Sequence, residues 1–165
     1  ADRPEAVRAA EEWARLSMEQ RRARPAAGGR ITIADVSVQR FPESQDYDDM
    51  RLVRIVLRSR AAPPPPPSSL RVEVVMFDES EDGRTISLTR AMPAQVLAWI
   101  GESWSADLTL NATAAYVVPA GFRRNSRTRF HGCIVRVFCE HHLEDEIARP
   151  MDLLIRASAP PRSAP

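Results

Sequence analysis

DLTLNATAAYVV, residues 107–118, alternates without a break: Leu108, Leu110, Ala112, Ala114, Tyr116 and Val118 share one parity. A period of two marks a strand with one face on a core. The same period recurs on both sides of this stretch. Upstream, RITIADVSV (30–38) offers Ile31, Ile33, Val36 and Val38, with one parity slip that predicts a bulge near Ala34–Asp35. LVRIVLRSR (52–60) puts Val53, Ile55 and Leu57 on one face, LRVEVVMF (70–77) puts Leu70, Val72, Val74 and Met76 together, and TISLT (85–89) places Ile86 and Leu88 opposite three hydroxyls. Downstream, FHGCIVRVFC (130–139) is apolar on both faces apart from Arg136, as expected of a central strand, and LEDEIA (143–148) begins a last strand that MDLLIRA extends past Pro150. About seven short strands separated by turn signals predict a mainly β chain folded as an antiparallel, immunoglobulin-like sandwich.

The period changes near residue 30. Residues 2–22 repeat at helical spacing, with Val7, Ala10, Ala14 and Met18 on a stripe that Trp13 and Leu16 widen. Asp2 and Glu5 form a capping pattern, and PAAGG (25–29) ends the helix. The expected organisation is an amphipathic helix and linker over 1–29, a sandwich over 30–157 and a tail over 158–165. Within the sandwich, the proline run of 61–69 reads as an extended loop. DESEDG (78–83) reads as a turn. Residues 93–104 read as a crossover carrying a short helix, with Trp99 and Trp104 packed on the sandwich.

The chain has 165 residues, one domain's worth of core, and a net charge of +1, which does not suggest a nucleic-acid partner. All 23 basic residues are Arg, which we read as the mark of a GC-rich genome. No apolar run is long enough to span a bilayer as a helix. The chain starts at Ala1, the expectation being a removed signal peptide or an excised piece of a longer protein.

HGCIVRVFCEHH (131–142) holds all three His and both Cys. On a straight strand Cys133 and Cys139 share a face but lie about 20 Å apart. That is too far for a disulfide or a shared zinc ion. Both are therefore expected as free, buried thiols, with His141 and His142 at a hairpin tip. Cys139, His141 and His142 remain as metal candidates without the spaced pairs of zinc modules. Neither acidic stretch, ESQDYDD (43–49) or DESED (78–82), matches an EF-hand loop, although clustered oxygens suit calcium. No nucleophile elbow, phosphate-binding glycine loop or catalytic triad pattern occurs. No catalytic residue and no cofactor is expected. FRRNSRTRF (122–130) reads as a basic loop whose Arg123, Arg124, Arg127 and Arg129 could dock an acidic partner.

The segments LTLNATAAYVVPAGF (108–122) and GCIVRVFCEHHLEDEIARP (132–150) resemble exported immunoglobulin-like proteins of Verrucomicrobia and related bacteria, Akkermansia among them. The resemblance covers roughly residues 30–155 and rests on framework positions. His141–His142 stand where a glycine turn would be expected in that group. It implies a sandwich with a non-enzymatic role in an exported, surface- or pilus-associated assembly, located in the periplasm or at the cell surface. Read from the residues themselves, the amphipathic helix and the basic loop carry the expectation of a protein partner or self-association, with Val7, Trp13, Leu16, Arg123, Arg124, Arg127 and Arg129 as contact residues. The other reading is a metal-binding domain or metal-dependent enzyme built on the histidine tip.

Overall fold

The computed structural model describes residues 28–156. The predicted helix of residues 2–22 and the tail 158–165 lie outside the described residues. Among the described residues nine strands run in the order β1 Ile31–Phe41, β2 Tyr47–Ser59, β3 Leu70–Ser80, β4 Ile86–Leu88, β5 Gln95–Leu97, β6 Trp99–Ile100, β7 Thr109–Pro119, β8 Thr128–Cys139 and β9 His142–Arg149. Two short helical turns, α1 Arg123–Ser126 and α2 Leu153–Arg156, follow β7 and β9.

One sheet has the order β1-β2-β7-β6; the other has β4-β3-β8-β9, with β5 also paired to β3. All pairings are antiparallel. A constant-type immunoglobulin sandwich sets strands A, B, E and D against C, F and G. The two sheets here follow that arrangement, with β4 added beside β3. The expected sandwich is therefore present. Its core lies between the sheets, where Ile31, Val53, Ile55, Leu57, Val72, Val74, Met76, Leu110, Tyr116, Cys133 and Val135 are all nearly or fully buried. Inward residues come from alternate positions on each strand, so the period of two translates directly into this layer. The bulge expected near Ala34–Asp35 is seen as a register shift between Ile33 and Asp35.

Several local expectations are corrected. Tyr47–Asp49, read as part of an acidic loop, starts β2, and Thr128–Phe130, read as basic loop, starts β8. The crossover 93–104 carries no helix: its backbone supplies β5 to one sheet and β6 to the other. Trp104 packs at the core margin and donates its indole N–H to the Pro65 carbonyl at 2.7 Å, but Trp99 is 74% exposed. Beyond Pro150 the chain turns into α2 instead of extending β9. Leu153 of α2 then packs against Val75, Phe77, Ile134 and Ala148 on the outer face of the five-stranded sheet. The outer face of β8 is thus buried as well as the inner one at this end, in keeping with a strand that reads as apolar on both sides apart from Arg136.

The edge of β1 is closed by carboxylates from the opposite sheet. Glu144 of β9 accepts the Arg30 and Ile31 amides, and Asp145 accepts the Ile33 amide at 2.9 Å. Gly29 lies so close to Glu144 that a side chain there would collide with its backbone.

Candidate functional site

The structure separates the histidines. Cys139 pairs with His142 across a two-residue hairpin whose tip residues, Glu140 and His141, have φ of 49° and 72°. His141 and His142 are exposed, whereas Cys139 is fully buried, facing the Arg30 guanidinium at 3.3 Å and the Ser69 hydroxyl at 3.7 Å. His131 sits at the far end of β8, with Nδ1 3.8 Å from a Glu79 carboxylate oxygen. Among the described residues no three His, Cys, Asp or Glu side chains converge as metal ligands. Both cysteines are free and buried, as the strand spacing predicts. Burial pushes the Cys133 thiol up to about 12, so it is neither a nucleophile nor a ready ligand at neutral pH.

The acidic stretches are also committed elsewhere. Asp48 accepts the Gly121 amide at 3.0 Å and the Arg123 amide at 2.9 Å, and these bonds hold its carboxyl below the usual range. Asp82 accepts from Ser80 and from the Arg84 amide, closing the β3–β4 turn. Asp49 and Asp78 are buried in the protein interior. A calcium ion needs six to eight oxygens directed outward at one point, and this placement does not supply them.

The sequence gives little sign of the polar cluster that closes one end of the sandwich. Asp49, fully buried, is met by Arg123 at 2.6 Å, by Arg51 at 3.1 Å and by Arg40 at 3.4 Å. Arg51 lies 4.7 Å over the Phe130 ring, and Phe130 meets Tyr116 edge-on at 4.8 Å. The Tyr116 hydroxyl donates to Asp78 at 2.6 Å. Burial raises the Asp78 carboxyl above its ordinary value and, together with the bond to Asp78, raises the Tyr116 phenol. The one available signal was parity: Arg51 and Asp78 fall in phase with the inward residues of β2 and β3.

The four loop arginines divide. Arg123 is bound to Asp49, and Arg129 pairs with Glu79 at 2.9 Å. Arg124 and Arg127 are exposed. Arg127 has a positive φ of 46° and ends α1, where Ser80, Asp82 and Ser126 line a shallow open groove beside it. Val7, Trp13 and Leu16 lie outside the described residues. The exposed large apolar side chains include Leu97 and Trp99, on the stretch that crosses between sheets at their shared open edge. No helix among the described residues is long and apolar enough to cross a membrane.

No protein family profile matches the chain, and no curated protein matches it. Solved structures give distant likenesses. A structure from Akkermansia muciniphila aligns at 16% identity and a TM-score of 0.44, covering 75% of this chain and 71% of that one. The alkylpurine DNA glycosylase AlkC of Pseudomonas fluorescens, bound to DNA with an abasic site analogue, aligns at 13% identity and a TM-score of 0.36. That alignment covers 82% of this chain but only 36% of the glycosylase chain.

Proposed function

We propose that this chain is a non-enzymatic interaction module of an exported, surface- or pilus-associated assembly. The observation that carries the reading is the open edge at residues 95–100, where Leu97 is 65% and Trp99 74% exposed. A large indole left in water on an edge strand is a natural anchor for a partner, because aromatic side chains dominate binding energy once desolvated. The adjoining strands β5 and β6 are three and two residues long, so the edge offers a side-chain anchor more than a ladder for strand addition. Arg124 and Arg127 add exposed positive charge, which acts on association rate and salt dependence. Among the described residues no metal ligands converge on the histidine tip, which favours the interaction reading over the metal one.

The test is made in the native cells. The protein should fractionate with the envelope or the surface, in a species larger than the monomer. Trp99→Asp should release it as a folded monomer. Recovery in the cytoplasm, or a Trp99→Asp protein of unchanged assembly size, would overturn the proposal.

A further inference from the structure

We infer that the partner of Trp99 is the proline run of a second copy of this chain: the indole of one copy lies on the ridge formed by Pro63 and Pro66 of another. The inference rests on the proposed role of Trp99 as an anchor and names what that anchor grips.

The run AAPPPPPSS (61–69) is stiff by its covalent structure. Pro63, Pro64, Pro65 and Pro66 each precede another proline, which keeps each of them extended. Pro66 has φ of −61° and ψ of 140°, the angles of a polyproline II helix. That helix repeats every three residues. Pro63 and Pro66 are exposed and three residues apart, so they share one side of the run, while Pro64 and Pro65 are half-buried on its other sides. There the Trp104 indole N–H donates to the Pro65 carbonyl at 2.7 Å. One side of the run is thus already met by an indole of its own chain, and the Pro63–Pro66 ridge faces water. A preformed polyproline ridge loses little entropy on binding, and aromatic surfaces are what it docks against.

The same chain carries the matching group. Trp99 is 74% exposed and Leu97, two residues earlier, is 65% exposed. Such an indole is not packed on the prolines of its own chain, as Trp104 is. Both groups border one edge of the sandwich: the Ala98 amide donates to the Val72 carbonyl at 2.9 Å, and the proline run leads into β3 at Leu70. Charge selects the same pairing. Arg60 enters the run and Glu102 follows Trp99, both exposed. Indole on proline sets the acidic end of one patch toward the basic end of the other, whereas indole on indole or run on run sets like charges together.

The experiment uses the purified full chain with Trp99 replaced by p-benzoylphenylalanine, irradiated as an equal mixture of ¹⁴N- and ¹⁵N-labelled protein. The expected product joins the two isotopic species, from position 99 to the tryptic peptide Ala61–Arg71. The same photoprobe at Arg84, in the β3–β4 turn, should not reach that peptide. Products within one species only, products to another peptide, or none above the Arg84 control each overturn the inference. The second readout is sedimentation over a concentration series, on variants that keep the wild-type urea midpoint. Trp99→Ala and the double variant Pro63→Ser/Pro66→Ser should each weaken self-association by about tenfold or more. An equal mixture of the two should recover part of it, because each supplies the group that the other lacks. Wild-type self-association in the proline variant, or no recovery on mixing, sinks the inference. If Trp99→Asp leaves the assembly in cells while Pro63→Ser/Pro66→Ser stays in it, the inference falls and the proposed role of Trp99 stands.

Discussion

Asp78 is 3% exposed and accepts the Tyr116 hydroxyl. Its carboxyl is raised first by burial, which the bonds from Tyr116 and Thr89 offset only in part. A group whose folded pKa lies above its unfolded one binds a proton on folding. Its contribution is fully present below the unfolded pKa and is lost as pH rises through the folded one. Asn at this position keeps an oxygen for Tyr116 and cannot ionise. Between pH 4 and pH 8 the urea midpoint of the wild type should therefore fall relative to that of Asp78→Asn. Parallel curves would show that the carboxyl is not desolvated. The thiols give a simpler check. With Cys133 and Cys139 fully buried and the Cys133 thiol pushed up to about 12, native protein at pH 8 should take up no iodoacetamide. In guanidinium without reductant both should be alkylated, and a mapped Cys133–Cys139 disulfide would contradict the strand geometry.

At the scale of elements, the β8–β9 hairpin works against its own tip. Glu140 and His141 occupy the left-handed region, where L-residues other than Gly and Asn lose about 1–2 kcal/mol each. Asn-Gly is the pair this turn favours. Glu140→Asn with His141→Gly should raise stability by about 1–2 kcal/mol, read as a higher urea midpoint at unchanged slope. The lost Arg30–Glu140 contact, 3.5 Å between half-exposed and exposed side chains, offsets little of this. The opposite result is expected at the β1 edge. Glu144→Ala strips the acceptor from the Arg30 and Ile31 amides, a cost of about 1–3 kcal/mol for buried groups. It also bares a strand edge, so concentration-dependent light scattering should appear in the variant. These elements differ in how well they can be read from sequence. β1, β2, β3, β7 and β8 are eleven to thirteen residues long, and over that length a period of two is plain. β5 and β6 are too short to show any period; their pairing to β3 and β7 is decided by distant backbone, and so the exposure of Trp99 was missed. The commitment of Arg123 was hidden for the same reason, since its partner Asp49 lies 74 residues away.

Across the whole molecule, Asp49 ties α1 to the paired strands β1 and β2. It gathers Arg40 from β1, Arg51 from β2 and Arg123 from α1 around one buried carboxylate. Through Arg51, Phe130, Tyr116 and Asp78 the contacts continue across the core from one sheet to the other. Removing the carboxylate leaves guanidinium groups facing one another at the end of the sandwich. The Arg123 Nε is already buried without an acceptor among the described residues. Breaking a buried pair by deleting one partner costs about 3–5 kcal/mol, largely for the charge left behind. Asp49→Ala should lose about that much, measured by urea unfolding. Arg123→Ala in the Asp49→Ala background should recover part of it, because the stranded charge goes too. A loss under about 1 kcal/mol in Asp49→Ala would mean that water screens the cluster as it does a surface pair. The same geometry assigns different tasks to the four arginines of the loop. Arg123 fixes α1 to the core, and Arg129 ties β8 to Glu79 on β3. Arg124 and Arg127 remain exposed. Their replacement by Ala should leave the urea midpoint within about 0.5 kcal/mol of wild type, whereas Asp49→Ala should move it far beyond that.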